Sequence, residues 1–336
     1  MFEYQSATAG EAEDTSFAAA PRCSRQASDE HETLRQGTLF LVAVSLVIAV
    51  GMLLTERVAT DAASLSAAAQ GTAALLLSSV ILRPRAKLER LADFFGVQGL
   101  VALSGFAGGV ISLMGLRMHF DLQDEALLAI DRAIGFDAES YIGSVIRAPD
   151  LLFQLSGGAY TSTLGILLVS LFIASLIGEQ LEVWRAAFCF AGSLMTVCIV
   201  SILAPARGVA RWLSPELMAR LPNGAGRYFW PSFDRFYGGG PVVLCLRSID
   251  AVVSFPSFHI IMGLIIVTLW RKRWATLLPA AAFFVCMAAV TVPLGGHYAV
   301  DLIGGLVVWG LWLAISIAVA RSGPMRFAPS SLEPRR

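Results

Sequence analysis

Charged residues are scarce in this chain. Only 15% of its 336 residues are Asp, Glu, Lys or Arg, and 56% are hydrophobic, whereas about 25% of the residues of an average soluble domain are charged. This scarcity excludes a chain that folds wholly in water. Acidic and basic residues are equal in number, so the formal net charge is zero. The whole-chain balance therefore says nothing about nucleic acid, and no nucleic-acid partner is predicted.

Cysteine is also sparse, and its spacing predicts neither a disulfide framework nor a metal site. The five cysteines are far apart in the sequence, and no CxxC pair occurs among them. They are Cys189, Cys198 and Cys286 in apolar segments, Cys23 near the N-terminus and Cys245 in a long polar stretch.

The N-terminal segment has none of the basic character of a signal peptide. Residues 1–37 are acidic and rich in Ala and Ser, whereas a signal peptide begins with a short basic region. We predict that residues 1–37 form a disordered cytoplasmic tail.

Long apolar runs dominate the rest of the chain. A membrane-spanning helix needs about 20 mostly apolar residues, and eight such runs occur, each bounded by charge, Gly or Pro. They are 38–55, 63–82, 96–116, 159–178, 184–204, 254–270, 275–293 and 298–320. The sequence therefore predicts an all-α integral membrane protein, a polytopic helical bundle with about eight transmembrane helices.

Two longer polar stretches separate some of these runs. Residues 117–158 contain two short amphipathic patterns, Asp124–Ile134 and Ala138–Ile146, which are typical of helices that lie along a membrane surface. The stretch 205–253 holds six arginines, which form either a solvated face or part of a site for an anionic ligand. These six are Arg207, Arg211, Arg220, Arg227, Arg235 and Arg247.

Basic residues in the short loops predict the orientation, because such residues prefer the cytoplasm. With the N-terminus inside, basic residues cluster in the cytoplasmic segments 83–90, 185, 271–273 and 321–336. Both termini are then cytoplasmic. The long stretch 205–253 is placed on the periplasmic or extracellular side of the plasma (inner) membrane.

Two histidines lie at the starts of apolar runs on the same predicted side. His259 opens the sixth run and His297 opens the eighth, and one hairpin separates these runs, so the two helices cross the membrane in the same direction. Ser254 and Pro256 are typical of a helix start, which places His259 near a first turn. The unpaired amides and the dipole of that turn favour an anion such as phosphate.

An acid accompanies the second histidine. Asp301 follows His297 by four residues, so on a helix their side chains share a face. The carboxylate can hold one ring nitrogen and leave the other free to attack, and an acid near a membrane span needs a partner. Gly295 and Gly296 allow the backbone to approach a bound anion. Each of these residues taken alone also has a simpler interpretation. Either histidine is then an interfacial polar residue, Ser257 is a helix cap, and the two glycines form a turn.

Other candidate residues support weaker predictions. His119, Asp121, Asp124 and Glu125 are residue types that bind metals, but they have no recognised ligand spacing, so we predict no metal site there. Aromatic residues near the ends of apolar runs are typical of anchors at the membrane–water interface. They are Trp184, Trp270 and Tyr298.

Two sequence strings carry a family resemblance. FPSFH, residues 255–259, and GGHYAVDLIGG, residues 295–305, resemble the second and third signature motifs of the type 2 phosphatidic acid phosphatase (PAP2) superfamily. The branch that contains inositol phosphorylceramide synthases is the most similar, and Asp124–Asp137 and Tyr160 resemble its bacterial members. The resemblance implies a six-helix catalytic membrane domain over residues 96–320. Residues 38–95 are then two additional helices with a basic cytoplasmic loop, and residues 321–336 a cytoplasmic tail.

The resemblance also implies a role for each motif residue. His297 is expected to be the nucleophile that forms a phosphohistidine, with Asp301 orienting it. His259 is expected to act as the general acid and then as the general base. Ser257, with Gly295 and Gly296, is expected to hold the phosphate. No metal and no other cofactor are expected.

Two departures from the family pattern concern the residues that bind phosphate. A Ser-Arg pair usually stands seven and six residues before the motif-three histidine, where this chain has Val290 and Thr291. The first motif has no clear match, and the nearest candidate is the segment 205–208. Another arginine is therefore needed to steady the phosphate, and we predict Arg207 first and Arg247 second.

Three functions are compatible with these residues. The first is hydrolysis of a lipid phosphate or diphosphate. The second is transfer of a phosphorylated head group from a phospholipid to a lipid hydroxyl, as in inositol phosphorylceramide synthesis. The third is a non-enzymatic lipid-binding or transport protein that keeps the histidines as proton or anion ligands. In each case the partners are a membrane lipid and the bilayer, and the oligomeric state stays open.

Overall fold

A computed structural model describes residues 19–56, 58–249 and 255–323. Within these residues the chain forms thirteen α-helices. In chain order they are α1 (Ala19–Glu56), α2 (Ala62–Leu82), α3 (Glu89–Leu116), α4 (Asp124–Ala133), α5 (Ala138–Ile146), α6 (Asp150–Thr161), α7 (Thr163–Leu176), α8 (Gln180–Leu203), α9 (Pro215–Met218), α10 (Trp230–Tyr237), α11 (Phe258–Leu269), α12 (Trp274–Gly295) and α13 (Ala299–Ser322). Three 3₁₀ turns lie at Ala86–Leu88, Val209–Trp212 and Leu246–Ile249.

The structure confirms an all-α polytopic membrane bundle. Six of the described helices are long and apolar enough to cross a membrane: α1, α2, α3 with its preceding 3₁₀ turn, α8, α12 and α13. The pair α6 and α7 passes the same test as one broken span, bent by 66°. The twelve residues of α11 span only about 18 Å, which is less than the roughly 30 Å hydrocarbon core of a bilayer. Two of the eight predicted spans thus differ from a straight transmembrane helix.

Two hydroxyl residues lie at the break between α6 and α7. The Ser162 hydroxyl donates to the Gly158 carbonyl at 2.7 Å, and the Thr163 hydroxyl donates to the Ala159 carbonyl at 2.9 Å. Such bonds to the preceding turn favour a bend. The predicted straight span 159–178 is divided at this point, and Tyr160 lies in the last turn of α6.

The N-terminal segment corrects one prediction. α1 begins at Ala19, so the predicted disordered tail is helical from that residue, and residues 1–18 lie outside the described chain. Leu34 is fully buried and Glu32 forms an ion pair with Arg35 one turn later. Among the described residues, Glu32 is thus partnered along a helix that packs on α8.

The two amphipathic patterns of the first polar stretch form helices as predicted. The amphipathic patterns correspond to α4 and α5, whose bounds agree with the sequence prediction to within one residue. The second stretch contains α9, α10 and a short strand, Val243–Leu244, which pairs in parallel with Ala59–Thr60. This pairing ties the second polar stretch to the connection between α1 and α2.

The aromatic residues predicted to be interface anchors are instead buried. Trp184, Trp270 and Tyr298 are at most 5% exposed. Trp184 and Trp270 belong to the apolar core formed by α1, α3, α7, α8, α11, α12 and α13. Tyr298 packs in a separate cluster with α4, α5 and the segments after α8. Their positions near helix ends suggested interface anchors, but neighbouring helices cover them.

The basic short loops and the histidine segments lie at opposite ends of the bundle. Near the start of α8, Glu182 forms ion pairs with Arg271 and Lys272 from the loop between α11 and α12. α8 then runs for 24 residues, about 36 Å, before it reaches the segment that contacts the start of α13. Arg185 also pairs with Glu182, and Arg90 donates to the Leu176 carbonyl just before α8. Three of the predicted cytoplasmic segments therefore converge far from His259 and His297.

Candidate active site

His297 occupies the tip of a very tight hairpin between α12 and α13. α12 ends at Gly295, and Gly296 adopts a left-handed conformation with φ +75° while its N–H donates to the Val292 carbonyl at 3.0 Å. A glycine in this conformation is a common helix terminator. Only His297 and Tyr298 then separate Gly296 from α13, so the imidazole is held by helix ends on both sides.

The glycine at this turn is required by its conformation and by its neighbours. Gly296→Ala is expected to destabilise the protein by about 2 kcal/mol or more, because a left-handed L-residue costs roughly 1–2 kcal/mol. The new Cβ would also lie 2.5 Å from the Gly226 carbonyl oxygen. Thermal unfolding in detergent measures this effect. Gly165→Ala is the control, since a Cβ there meets nothing within 4 Å, and an unchanged midpoint for Gly296→Ala would contradict the packing described.

Asp301 fixes the orientation of His297. Its Oδ2 accepts hydrogen bonds from His297 Nδ1 at 3.0 Å and from the Tyr298 amide at 2.9 Å. The predicted pairing is present, but its cause differs from the expected helical spacing. His297 precedes the helix, whereas Asp301 stands at its third position and caps it. Both side chains are at most 5% exposed, and the bond at Nδ1 turns Nε2 away from Asp301.

The FPSFH segment is attached to α13 beside this pair. The Ser257 amide donates to the Asp301 carbonyl at 2.9 Å, and Ser257 Oγ lies 3.3 Å from His297 Nε2. A Cβ on Gly305 would lie 2.6 Å from the Ser257 carbonyl oxygen, so the close approach of the two segments requires glycine. The Ser257 hydroxyl of the second motif therefore lies next to the His297 ring of the third motif.

The start of α11 differs in detail from the prediction. The N-cap residue is Ser257, and Pro256 precedes the helix, while Ser254 lies outside the described residues. His259 is the second residue of α11, within its first turn as predicted. The Ser257 side chain makes no capping hydrogen bond, so it does not occupy the amides of this turn.

Tyr160 connects the two histidines. Its ring stacks on the His259 ring with centroids 4.1 Å apart and planes 15° apart. Tyr160 Oη and His297 Cδ2 both lie within 2.7 Å of the point where a Cβ on Gly295 would stand. Tyr160 thus touches one imidazole and lies beside the other, and a larger residue at position 295 would displace both rings.

A cavity of about 670 Å³ opens beside this group. His259, Tyr160 and Leu294 line one part of it, and α6 together with the segment Pro222–Tyr228 lines the rest. On the same α6 helix, Leu151 and Leu155 are 69% and 60% exposed. His259 therefore adjoins a cavity lined in part by α6, and α6 also carries exposed apolar side chains.

Arg207 lies on the segment that follows α8, next to the hairpin. The Gly208 backbone lies against Gly296, whose carbonyl accepts the Val209 amide at 2.8 Å. Arg207 itself forms an ion pair with Asp234 at 2.7 Å. Its Nε is buried and has no hydrogen-bond partner among the described residues.

The structure places Arg247, the second predicted phosphate ligand, elsewhere. It lies on the 3₁₀ turn Leu246–Ile249, which packs on α2 and α3. Ile249 lies against Gly109 of α3, and the Leu246 amide donates to Ser64 Oγ. These contacts hold Arg247 near the two N-terminal helices and leave it out of the histidine group.

The missing Ser-Arg pair of the family pattern also has a structural counterpart. Val290 and Thr291 are buried in α12, and the Thr291 hydroxyl donates to the Met287 carbonyl at 2.9 Å. That bond is internal to the helix. Neither residue replaces the missing Ser-Arg pair.

Sequence reasoning missed two acids and a tyrosine that support the hairpin. Asp124 accepts the Tyr298 hydroxyl at 2.9 Å and the amides of Arg207 and Gly208, both at 3.0 Å. Asp131 accepts the first two amides of α13. Their positions on an amphipathic helix, seven residues apart, indicated a shared face, but their partners lie more than 80 residues away.

Two of the residues that suggested a metal site, Asp124 and His119, have different partners in the structure. Asp124 faces Arg207 and Tyr298, whereas the His119 ring packs edge-on against Tyr237. Among residues 19–56, 58–249 and 255–323, no group of three or more His, Cys, Asp or Glu has the arrangement of a metal site.

Comparison with known proteins gives a family. A family model described as the PAP2 superfamily matches residues 125–315, which is more than half of the chain and includes His259, His297 and Asp301. No curated protein and no solved structure matches the chain.

Proposed function

The chain belongs to the PAP2 superfamily, and on that premise we propose that it cleaves phosphate esters of membrane lipids through a phosphohistidine at His297. Membership indicates phosphatase or phosphotransferase activity. The observation that carries the proposal is the contact of Asp301 Oδ2 with His297 Nδ1 at 3.0 Å. It leaves the other ring nitrogen, Nε2, available at a point that Ser257 also reaches.

In the first proposed step, His297 Nε2 attacks phosphorus. A P–N bond forms while the P–O bond to the leaving group breaks, and His259 gives its proton to the departing alkoxide. The Asp301 carboxylate stabilises the positive charge that develops on the imidazole. In the second step, water or an alcohol attacks phosphorus, His259 accepts its proton, and the P–N bond breaks.

The start of α11 and Arg207 are proposed to hold the phosphate. The first-turn amides of a helix favour an anion, and here no side chain caps them. Ser257 Oγ supplies a further hydrogen bond. Arg207 has a buried, unpaired Nε among the described residues, and its neighbour Gly208 touches the hairpin, so its guanidinium is the proposed counter-charge for the transferred phosphoryl group.

The cavity beside His259 is proposed to admit a lipid from the bilayer. α6, which lines part of the cavity, also carries Leu151 and Leu155, which are largely exposed and suit contact with acyl chains rather than water. The site lies at the end of the bundle opposite the basic short loops. By the preference of such loops for the cytoplasm, we place it on the periplasmic or extracellular side of the plasma membrane.

Head-group transfer is a second candidate function. The site lacks the Ser-Arg pair usual in phosphatase members, and Val290 and Thr291 make no polar substitute for it. Transfer and hydrolysis differ only in the acceptor that attacks the phosphohistidine, which is a lipid hydroxyl in one case and water in the other.

Lipid analysis of the purified protein separates these functions. The protein in detergent is incubated with lipid phosphates, lipid diphosphates and phospholipids, each with and without ceramide or diacylglycerol. Free phosphate without an acceptor indicates hydrolysis, and a new phospholipid that requires the acceptor indicates transfer. If lipids bind but none is turned over, the result contradicts the proposed enzymatic function and supports a non-enzymatic role in lipid binding or transport.

Activity is expected to be independent of divalent metal. In the proposed chemistry, histidine, arginine and backbone amides stabilise the negative charge of the phosphate without a metal ion. EDTA treatment should therefore leave turnover within about twofold of the untreated rate. The measurement is the initial rate before and after chelation and after Mg²⁺ is restored. Loss of activity with EDTA and recovery with Mg²⁺ would contradict the proposed mechanism.

A further inference from the structure

Two buried carboxylates on α4 contact the hairpin from outside it. Asp124 and Asp131 are each 1% exposed and stand seven residues apart, so they share one face of the helix. A buried carboxylate is costly unless hydrogen bonds or opposite charges satisfy it. The partners of these two acids come from the segments that carry the proposed nucleophile and the proposed phosphate ligand.

Asp131 caps α13. Its two oxygens accept the Ala299 and Val300 amides, both at 2.8 Å. The first amides of a helix have no partner within the helix, and Asp301 already satisfies the Tyr298 amide. The start of α13 is therefore held by one carboxylate of its own and by one from α4, which fixes the direction in which His297 leaves the helix.

Asp124 joins the same hairpin to the segment after α8. Trp212 Nε1 donates to the Tyr298 hydroxyl at 2.8 Å. Because an indole N–H only donates, the Tyr298 oxygen is the acceptor in that bond. The Tyr298 hydroxyl in turn donates a hydrogen bond to Asp124 at 2.9 Å. The same carboxylate accepts the Arg207 and Gly208 amides. Asp124 is thus bonded both to the residue after His297 and to the backbone of Arg207.

We propose that Asp124 and Asp131 are positioning residues, which set the distance and angle between the His297 ring and the Arg207 segment. The inference rests on the proposed function, since it assigns those two elements to the nucleophile and the phosphate ligand. Misplacement of reacting groups by about 1 Å costs roughly 100-fold in rate. The acids therefore affect the chemical step more than the binding of the lipid tail.

Removal of one hydroxyl tests the link with little change of packing. Tyr298→Phe is expected to lower kcat about tenfold and to change KM by less than about twofold, and Asp124→Asn is expected to act similarly. In the double variant the loss should equal that of Asp124→Asn alone, because both changes break one connection. Tyr141→Phe is the control. It also loses a hydroxyl bond, a half-buried one to the Ala289 carbonyl at 2.8 Å, and kcat should be unchanged.

A readout without turnover separates this inference from the proposed function. Carbethoxylation of His297 by diethyl pyrocarbonate, followed by peptide mass analysis over a range of pH, should be faster in Tyr298→Phe and Asp131→Asn than in the wild type and Tyr141→Phe. Faster modification with no lipid turnover in any protein would support the positioning role and overturn the proposed function. Unchanged modification, or kcat losses that multiply in the double variant, would overturn the positioning role.

Discussion

Replacing His297 with alanine is expected to lower turnover by at least about 10⁴-fold, since loss of a nucleophile removes the covalent route entirely. The ring is almost fully buried and is held by Asp301 at Nδ1 and approached by Ser257 at Nε2. No other described histidine has such partners. The measurement is kcat on whichever lipid the wild-type protein turns over, with thermal unfolding to establish that the variant folds.

His119→Asn is the matched control for this prediction. His119 lies just beyond α3 with φ +55°, a conformation that asparagine tolerates well, and its ring contacts Tyr237 outside the histidine group. The control should keep wild-type kcat. Equal activities of His297→Ala and His119→Asn would remove His297 from the reaction.

Asp301→Asn is expected to lower kcat on the order of 10³-fold while the protein still folds. Asparagine keeps the size of the side chain and an oxygen for the Tyr298 amide, but it has no negative charge to stabilise the imidazolium as the P–N bond forms. KM should change little, because Asp301 is fully buried behind His297. Steady-state kinetics on the same lipid measures both constants.

Asp93→Asn provides a comparison for the loss of a buried acid. Asp93 is fully buried on α3 and pairs with Arg83 at 2.9 Å, near the end of the bundle that holds the basic loops. Its substitution is expected to lower the unfolding midpoint without lowering kcat. If both variants lose turnover to the same extent, the effect of Asp301→Asn comes from general destabilisation and the orienting role is contradicted.

The sequence predicted those parts of the site that depend on local order. The glycines and Asp301 lie within a few residues of His297, so the sequence alone predicted a turn, a helix start and a paired His297 and Asp301, although His297 precedes the helix and Asp301 caps it. His259 and His297 were expected at one end of the bundle because one hairpin separates their helices. That argument needs no knowledge of packing, and the placement of both residues beside Tyr160 agrees with it.

The parts that failed depend on contacts between distant segments. The bond between Tyr298 and Asp124 joins residues 174 positions apart, and nothing near Tyr298 distinguishes this contact from membrane anchoring. Arg247 has the residue type expected of a phosphate ligand, but Ile249 and Leu246 fix its turn on α2 and α3. Charge composition suggested disorder before residue 38, whereas the buried Thr33 and Leu34 pack a helix there that continues into the first apolar run.

Detection of the covalent intermediate tests the proposed mechanism most directly. The purified protein is mixed with a ³²P-labelled lipid phosphate, quenched in alkali during turnover, and digested for peptide analysis. We expect alkali-stable label on the peptide that contains His297 and no label on the His297→Ala protein. Continued turnover with no label on the protein, or label on another residue, would contradict a phosphohistidine at His297.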